Sequence, residues 1–160
     1  DSVGMPAPLP QYAQVCNVTW IHTDYSKENG SVAIVPGSHR FGRHPFPHEE
    51  DFLKEDAPFR PIAIEAAAGS IVFWHGNTWH GAWPRTEPGV RINTLMYFNR
   101  SYVKQMQDLR LKVTDEMLER NPPEFAELVG CKHPYPLAND QLNPGEQVEW
   151  FRRSGRSQWS

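Results

Sequence analysis

Cysteine is scarce in this sequence, with only Cys16 and Cys131 among 160 residues. Two cysteines so far apart in sequence form neither a disulfide framework nor the paired spacing of a zinc site. We therefore expect two free thiols in a reducing compartment, which predicts a cytoplasmic protein.

Long apolar runs and an excess of positive charge are also absent. The longest apolar candidate, residues 62–74, is interrupted by Glu65, Gly69 and Ser70 and falls short of the roughly 18 residues that a membrane helix needs. The 16 Lys and Arg residues against 19 Asp and Glu residues give a formal net charge of −3. Nucleic-acid binding needs a basic surface. We therefore expect neither a membrane span nor a nucleic-acid partner.

Several sequence motifs of enzymes are missing as well. The chain has no P-loop, no GxGxxG, no GxSxG and no helical HExxH pattern, so nothing indicates a nucleotide site or a nucleophilic serine. Hydrophobic residues make up 39% of the chain and charged residues 22%, which is typical of one globular domain. The 15 prolines predict many turns and loops.

The first hundred residues contain short segments with strand character, separated by turn signals. This pattern favours a mainly β fold such as a sandwich, a jelly roll or a barrel. Residues 69–83 are predicted to form a β-hairpin with a tight turn at Gly76 and Asn77. The predicted strands are 13–22, 31–36, 60–66, 69–74, 78–83 and 90–99.

The composition changes near residue 100. Residues 104–120 carry helix-forming residues that end at Asn121, and residues 123–129 fit a short helix that ends at Gly130. We predict a β core over residues 1–101 and a helical and irregular extension over residues 102–160 that packs on it.

Several polar residues in the β region could contribute to a site. His80 can bind a metal, and Arg91 can bind a carboxylate with two parallel hydrogen bonds. If their strands are adjacent, both side chains could enter one cavity. In the strand at 13–22, Asn17 and Thr19 share a face with apolar residues, as expected of a strand that carries a polar site in a barrel interior.

Three segments of this sequence together resemble the phytanoyl-CoA dioxygenase (PhyH-like) family. They are TDYSKENG at 23–30, VPGSHRFGRHP at 35–45, and GSIVFWHGNTWHGAW at 69–83 followed by Arg91. The resemblance covers about residues 1–100. It implies an Fe(II)- and 2-oxoglutarate-dependent oxygenase with a double-stranded β-helix, which is a jelly-roll, cupin-like fold.

The resemblance also assigns residues to roles. The family holds iron with an H-x-D pair and a distal His, which places metal ligands at Asp1 and His80 and the 2-oxoglutarate anchor at Arg91. The first His of the pair would lie two positions before Asp1. We therefore expect that this chain lacks the N-terminal part of the fold.

Further residues are assigned more loosely. Asn17 and Thr19 are candidate contacts of 2-oxoglutarate if their strand face points inward. The family often has a hydroxyl two positions after the distal His, but that position is Ala82 here, so another group must help Arg91. His75 would lie on the face opposite His80 and is interpreted as structural, and His39 is expected to brace its loop by hydrogen bonds.

The leading hypothesis is a dioxygenase that hydroxylates a small or lipid-like organic substrate, with dioxygen as cosubstrate and with decarboxylation of 2-oxoglutarate to succinate. Two imidazoles and one carboxylate on one face of Fe(II) leave coordination positions open for such chemistry. The alternatives are a halogenase of the same fold, a non-catalytic β-helix binding protein that has lost its iron, and an oligomerisation module. For the last, the 102–160 extension would provide the interface of a homo-oligomer.

Overall fold

Two small antiparallel sheets form the core of the computed structural model, which describes Ser2 and residues 4–131. One sheet has the strand order β4-β1-β6 and the other the order β3-β2-β5. The strands are β1 Val15–Ile21, β2 Val32–Ile34, β3 Ile62–Ala63, β4 Ile71–His75, β5 His80–Ala82 and β6 Asn93–Asn99.

The chain passes repeatedly from one sheet to the other. β1 belongs to the first sheet, β2 and β3 to the second, β4 to the first, β5 to the second and β6 to the first. Such alternation between two antiparallel sheets is the connectivity of a jelly roll. It confirms the mainly β, double-stranded β-helix architecture predicted from the sequence.

The predicted hairpin at residues 69–83 is wrong. β4 pairs with β1, whereas β5 pairs with β2, so the turn at Gly76 carries the chain between sheets instead of joining paired neighbours. His80 and Arg91 consequently do not come from adjacent strands: His80 pairs with Ile34 in the second sheet, and Arg91 lies just before β6 in the first. Turn residues predict a reversal of the chain, but they do not reveal which strand becomes the partner.

The predicted faces of β1 are confirmed. Side chains alternate in burial along the strand, and its buried face consists of Val15, Asn17, Thr19 and Ile21. Asn17 and Thr19 are completely buried although they are polar. The central position of β1 between β4 and β6 accounts for this burial.

Apolar side chains from the loop between β2 and β3 pack against the second sheet. Phe52 and Trp79 are buried with Ala33 and Val35, and Phe59 packs against them. The rings of Phe59 and Trp79 meet edge to face with centroids 5.1 Å apart, a favourable aromatic geometry.

An ion pair fixes the same loop. The guanidinium of Arg43 donates two hydrogen bonds to the carboxylate of Glu49, at 2.6 and 2.9 Å, and the backbone N–H of Phe46 donates a third at 2.8 Å. The hydrogen bonds from Arg43 are the largest influence on Glu49 and lower its pKa from 4.5 to about 2.

The chain divides into two compact units between Val103 and Lys104. Within the described part of the second unit, a 3-10 turn covers Leu109–Leu111 and two short helices follow, α1 Asp115–Glu119 and α2 Glu124–Leu128. The hydroxyl of Thr114 caps α1 by accepting a hydrogen bond from the N–H of Met117.

The helix predicted across residues 104–120 is therefore mostly absent, and only its last turn and a half is α-helical. Met106 and Leu111 are 90% and 85% exposed, so this stretch buries little apolar surface. Tertiary packing of an apolar face supplies most helical stability in proteins, and this stretch has little of it. Among the described residues, no helix has the length and apolar character needed to cross a membrane.

Replacing Gly76 with alanine is expected to destabilise the protein by about 1–3 kcal/mol, because of steric overlap in a packed region. A Cβ atom at Gly76 would lie 2.7 Å from the carbonyl oxygen of Val15, and that oxygen accepts a hydrogen bond from the N–H of Gly76 at 2.8 Å. Urea unfolding measures the change. Gly4→Ala is the matched control because a Cβ there meets nothing within 4 Å. Equal stabilities of both variants would contradict the expectation.

Glu49→Gln is expected to weaken the dependence of stability on acid pH. Because the folded-state pKa of Glu49 lies below its usual value, its contribution to stability is fully present above pH 4.5 and is lost as the pH falls toward about 2. Urea midpoints measured across that range should converge for wild type and Glu49→Gln as the pH falls. Glu50→Gln, at an exposed neighbour, is the control for the removal of one carboxylate. A constant gap between wild type and Glu49→Gln would contradict the assignment.

Candidate functional site

His80 is the first residue of β5, and its side chain is half-buried. Its Nδ1 lies 2.8 Å from the carbonyl oxygen of Thr78. Because a carbonyl oxygen only accepts, Nδ1 carries the proton and Nε2 carries the lone pair of the neutral ring. Burial lowers the pKa of His80, against the opposing effect of the hydrogen bond to Thr78, and so favours the neutral form. A metal-ligating His has this state and this kind of backbone partner.

The VPGSHR segment fixes the chain next to His80. The hydroxyl of Ser38 donates to the carbonyl oxygen of Val35 at 2.7 Å and accepts from the N–H of Trp79 at 2.8 Å. The N–H of Val35 in turn donates to the carbonyl of Trp79 at 2.9 Å. Gly37, at φ 82°, makes the turn that brings Ser38 into place, and this left-handed conformation favours glycine. Hydrogen bonds from Ser38 and Val35 thus fix both the N–H and the carbonyl of Trp79, just before β5.

A pocket of about 260 Å³ opens beside His80. Ser2 borders it, and the Ser2 hydroxyl donates a 2.6 Å hydrogen bond to the side-chain oxygen of Asn77. The wall combines polar and apolar side chains, as small-molecule sites commonly do. Its lining residues are Ser2, Leu9, Arg43, His44, Pro45, Glu50, Phe52, Gly76, Asn77, Thr78, Trp79 and His80.

The other histidines near the pocket have structural contacts. His75 accepts a hydrogen bond at Nδ1 from the N–H of Asn77 and donates from Nε2 to the carbonyl of Gln11 at 3.3 Å, so both ring nitrogens are used. His39 contacts the His75 ring, with centroids 5.3 Å apart. The hydrogen bonds that brace the PGSH loop come from Ser38, not from His39 as expected.

Trp74 connects His80 to the polar face of β1. The rings of Trp74 and His80 meet edge to face, 5.3 Å between centroids. Trp74 is also the residue of β4 directly opposite Asn17 of β1, so the two side chains lie on one face of the sheet. The indole nitrogen of Trp74 is buried and has no hydrogen-bond partner in the described part of the chain.

Thr19 lies near the segment that carries Arg91. Its hydroxyl accepts a hydrogen bond of 2.9 Å from the side-chain amide of Asn93, the first residue of β6. Asn93 follows Arg91 by two positions, and side chains two positions apart in an extended chain point to the same side. Arg91, Asn17 and Thr19 are not among the residues that line the pocket of His80.

The guanidinium of Arg91 is anchored by a turn at the end of the TDYSKENG segment. Its Nη1 donates one hydrogen bond to the backbone carbonyl of Gly30 and another, of 3.3 Å, to the hydroxyl of Tyr25. The guanidinium carbon also lies 5.2 Å from the centre of the Tyr25 ring, within the range of a cation–π contact. Tyr25 is buried, with 3% of its surface exposed.

Backbone contacts tie this turn to the same strand. The N–H of His22 donates to the carbonyl of Ile92 at 3.0 Å, and the N–H of Ile92 donates to the hydroxyl of Thr23 at 3.0 Å. Gly30 adopts φ 83°, and a Cβ there would lie 3.1 Å from the carbonyl oxygen of Trp83. The glycine therefore permits both the turn and the close approach.

These contacts would have been hard to find from the sequence. Tyr25 and Ser38 lie within two of the recognised segments, yet nothing in their local pattern distinguishes them from other loop residues. Trp74 looks like an ordinary core residue. Only Arg91 offers a signal, since a lone arginine beside an apolar strand suggests a buried anionic partner.

Comparison with known proteins decides the family. The sequence profile described as "Phytanoyl-CoA dioxygenase (PhyH)" matches residues 1–92. The chain belongs to this family. The match includes His80 and Arg91 and all three segments on which the resemblance rests.

Individual curated relatives agree with the family assignment. Dioxygenase af480 of Aspergillus fumigatus is 30% identical over 83% of this chain and 41% of its own length. Ectoine dioxygenase of Bordetella parapertussis is 32% identical over 60% of this chain and 36% of its own length. Among solved structures, EvdMO1 is similar with a TM-score of 0.46 and 19% identity, over 59% of this chain and 22% of that protein. The chain spans about two fifths of the length of the curated relatives it matches.

The residues of this phytanoyl-CoA dioxygenase family member fit part of an iron site. His80 has the tautomer and the backbone partner of a metal ligand. Within Ser2 and residues 4–131, no three His, Cys, Asp or Glu side chains converge. Asp1, the other predicted ligand, lies outside the described residues. Of the two predicted metal ligands, His80 is thus the one that lies within the described residues.

A double-mutant cycle tests the buried hydrogen bond between Thr19 and Asn93. Thr19→Val leaves the Asn93 amide without its acceptor, and we expect a loss of about 1–2 kcal/mol in the free energy of unfolding. Asn93→Ala should cost a similar amount, and the double variant should cost less than the sum. Urea unfolding of all four proteins measures the coupling. Strict additivity would show that the two side chains do not interact.

Proposed function

We propose that this protein is an Fe(II)- and 2-oxoglutarate-dependent dioxygenase that hydroxylates a small or lipid-like organic substrate. The observation that carries the proposal is His80, whose Nδ1 donates to the Thr78 carbonyl and which lines a pocket, in a member of the phytanoyl-CoA dioxygenase family. Both curated relatives described above are named dioxygenases, and one of these two is named for ectoine.

Iron would be held by His80 and Asp1 among its ligands. His80 would bind iron through Nε2, because its Nδ1 donates to the carbonyl of Thr78. Asp1 is bonded to Ser2, and Ser2 lines the same pocket as His80. A carboxylate and two imidazoles on one side of Fe(II) leave positions for other ligands. An aspartate at this position favours hydroxylation over halogenation, which needs that position for a halide.

Arg91 would bind the far carboxylate of 2-oxoglutarate. A carboxylate in a half-buried site needs a charged partner, since an unpaired buried charge costs several kcal/mol. Asn17 and Thr19 would complete the cosubstrate site, because they are polar and fully buried on the inner face of β1. The cross-strand position of Asn17 beside Trp74 supports this placement, as Trp74 contacts His80.

When bound, iron and 2-oxoglutarate would activate dioxygen, with decarboxylation of the cosubstrate to succinate and transfer of one oxygen atom to a C–H bond of the substrate. The chain itself would supply orientation and shelter from water. The pocket volume of about 260 Å³ favours a small organic substrate. The loop that carries Arg43, His44, Glu50 and Phe52 forms much of its wall and would select among substrates.

Anaerobic titration of the full-length protein with Fe(II) and 2-oxoglutarate tests the proposal. The wild type should develop the weak visible charge-transfer band of the bound pair. His80→Ala should abolish the band, and Arg91→Ala should weaken 2-oxoglutarate binding by about 30-fold or more, as expected for the loss of one partner of a buried charge pair.

His48→Ala and Arg60→Ala are the matched controls, because both side chains are exposed and lie outside the pocket. Both should behave as wild type. A full-length wild type without any band would overturn the proposal and favour a β-helix protein that binds ligands without catalysis.

A further inference from the structure

We propose that the hydroxyl of Tyr25 positions Arg91 for the cosubstrate, by occupying Nη1 so that the Nε and Nη2 edge of the guanidinium faces the far carboxylate of 2-oxoglutarate. This inference rests on the proposed function and adds a residue to its site. Tyr25 belongs to the TDYSKENG segment, and its hydroxyl accepts a hydrogen bond of 3.3 Å from Nη1 of Arg91.

The hydrogen bonds of the guanidinium are divided unevenly between its two edges. Nη1 has two hydrogens and gives one to the carbonyl of Gly30 and one to the hydroxyl of Tyr25. Across the described residues, no acceptor is within hydrogen-bonding distance of Nε or Nη2. These two nitrogens form the side-on edge of arginine, whose parallel N–H groups match the two oxygens of a carboxylate.

Tyr25 is suited to fixing this orientation. Its ring lies under the guanidinium at 5.2 Å, and its backbone N–H and carbonyl form a bridge with Ala66 at 2.8 and 3.0 Å. The side chain is 3% exposed, so neighbouring atoms restrict its movement. Burial raises the pKa of Tyr25, with a weaker opposing effect from Arg91, so the hydroxyl stays neutral and does not compete with the cosubstrate for the positive charge.

The contact between Tyr25 and Arg91 also bears on Ala82, where this chain differs from the pattern that the family resemblance implies. The resemblance to the family implies a hydroxyl two positions after His80 to assist the arginine, and this chain has Ala82 at that position. The hydroxyl of Tyr25, in the TDYSKENG segment, would orient Arg91 in place of the hydroxyl that is absent at position 82. Arg91 then reaches the carboxylate with its geometry already fixed, and less side-chain entropy is lost on binding.

Binding measurements on the full-length protein separate this role from a merely structural one. The probe is 2-oxoglutarate titrated into Mn(II)-loaded protein without oxygen, followed by calorimetry, beside 2-oxovalerate, which has a methyl group in place of the far carboxylate. Tyr25→Phe keeps the ring and removes the hydroxyl. We expect it to weaken 2-oxoglutarate binding by about fivefold, the range of one hydrogen bond, and to leave 2-oxovalerate binding unchanged.

Two further variants complete the experiment. In an Arg91→Lys background, Tyr25→Phe should have no additional effect on 2-oxoglutarate, because the guanidinium edge that it orients is gone. Tyr12→Phe, at an exposed tyrosine of the same unit, should bind both compounds as wild type does. Thermal unfolding of Tyr25→Phe confirms that the variant is folded.

Three results would overturn the inference. Equal weakening of 2-oxoglutarate and 2-oxovalerate by Tyr25→Phe would mean that the hydroxyl supports the fold and not Arg91. Wild-type affinity of Tyr25→Phe for 2-oxoglutarate would mean that Arg91 needs no such partner. Failure of the wild type itself to bind 2-oxoglutarate would overturn the proposed function, and with it this inference, and so differs from the first two results.

Discussion

The placement of Arg91 depends on the hydrogen bonds that tie residues 22–30 to residues 91–94. The backbone of His22, the hydroxyl of Thr23 and the carbonyl of Gly30 all contact this short segment at the start of β6. A free arginine side chain has about 2 kcal/mol of rotamer entropy to lose when it is fixed. Here the fold restricts that freedom in advance, so a ligand of Arg91 would not have to supply the whole cost.

The central strand of the first sheet has a polar face that stability alone does not explain. Asn17 and Thr19 are fully buried between β4 and β6, where valine or isoleucine would favour both strand formation and burial. Buried polar groups are tolerated when they are hydrogen-bonded, as Thr19 is to Asn93. Departures from the preferences of a fold concentrate at functional sites. The polar face of β1 therefore supports the proposal that Asn17 and Thr19 belong to the cosubstrate site.

The parts of this structure that could be predicted follow from local rules, and the parts that could not depend on long-range pairing. The faces of β1 were predictable because side chains alternate along any strand. The passage of the chain from one sheet to the other at Gly76 was not predictable. The turn residues would be the same whether β5 paired with β4 or, as it does, with β2. The failed helix at residues 104–120 shows that propensity without burial is insufficient. The contact between Tyr25 and Arg91 joins residues that no periodicity relates.

Because the chain passes from one sheet to the other between β5 and β6, the VPGSHR and TDYSKENG segments position different residues. Residues 80 and 91 are near each other in sequence, yet β5 and β6 belong to different sheets and cannot be fixed by one turn. VPGSHR binds the start of β5 through Ser38, and TDYSKENG binds the segment just before β6 through Gly30 and Tyr25. One segment thus positions the residue proposed to hold iron, and the other positions the residue proposed to hold the cosubstrate. Because each segment acts on a different sheet, a substitution in one of them should disturb one of these functions and leave the other largely intact.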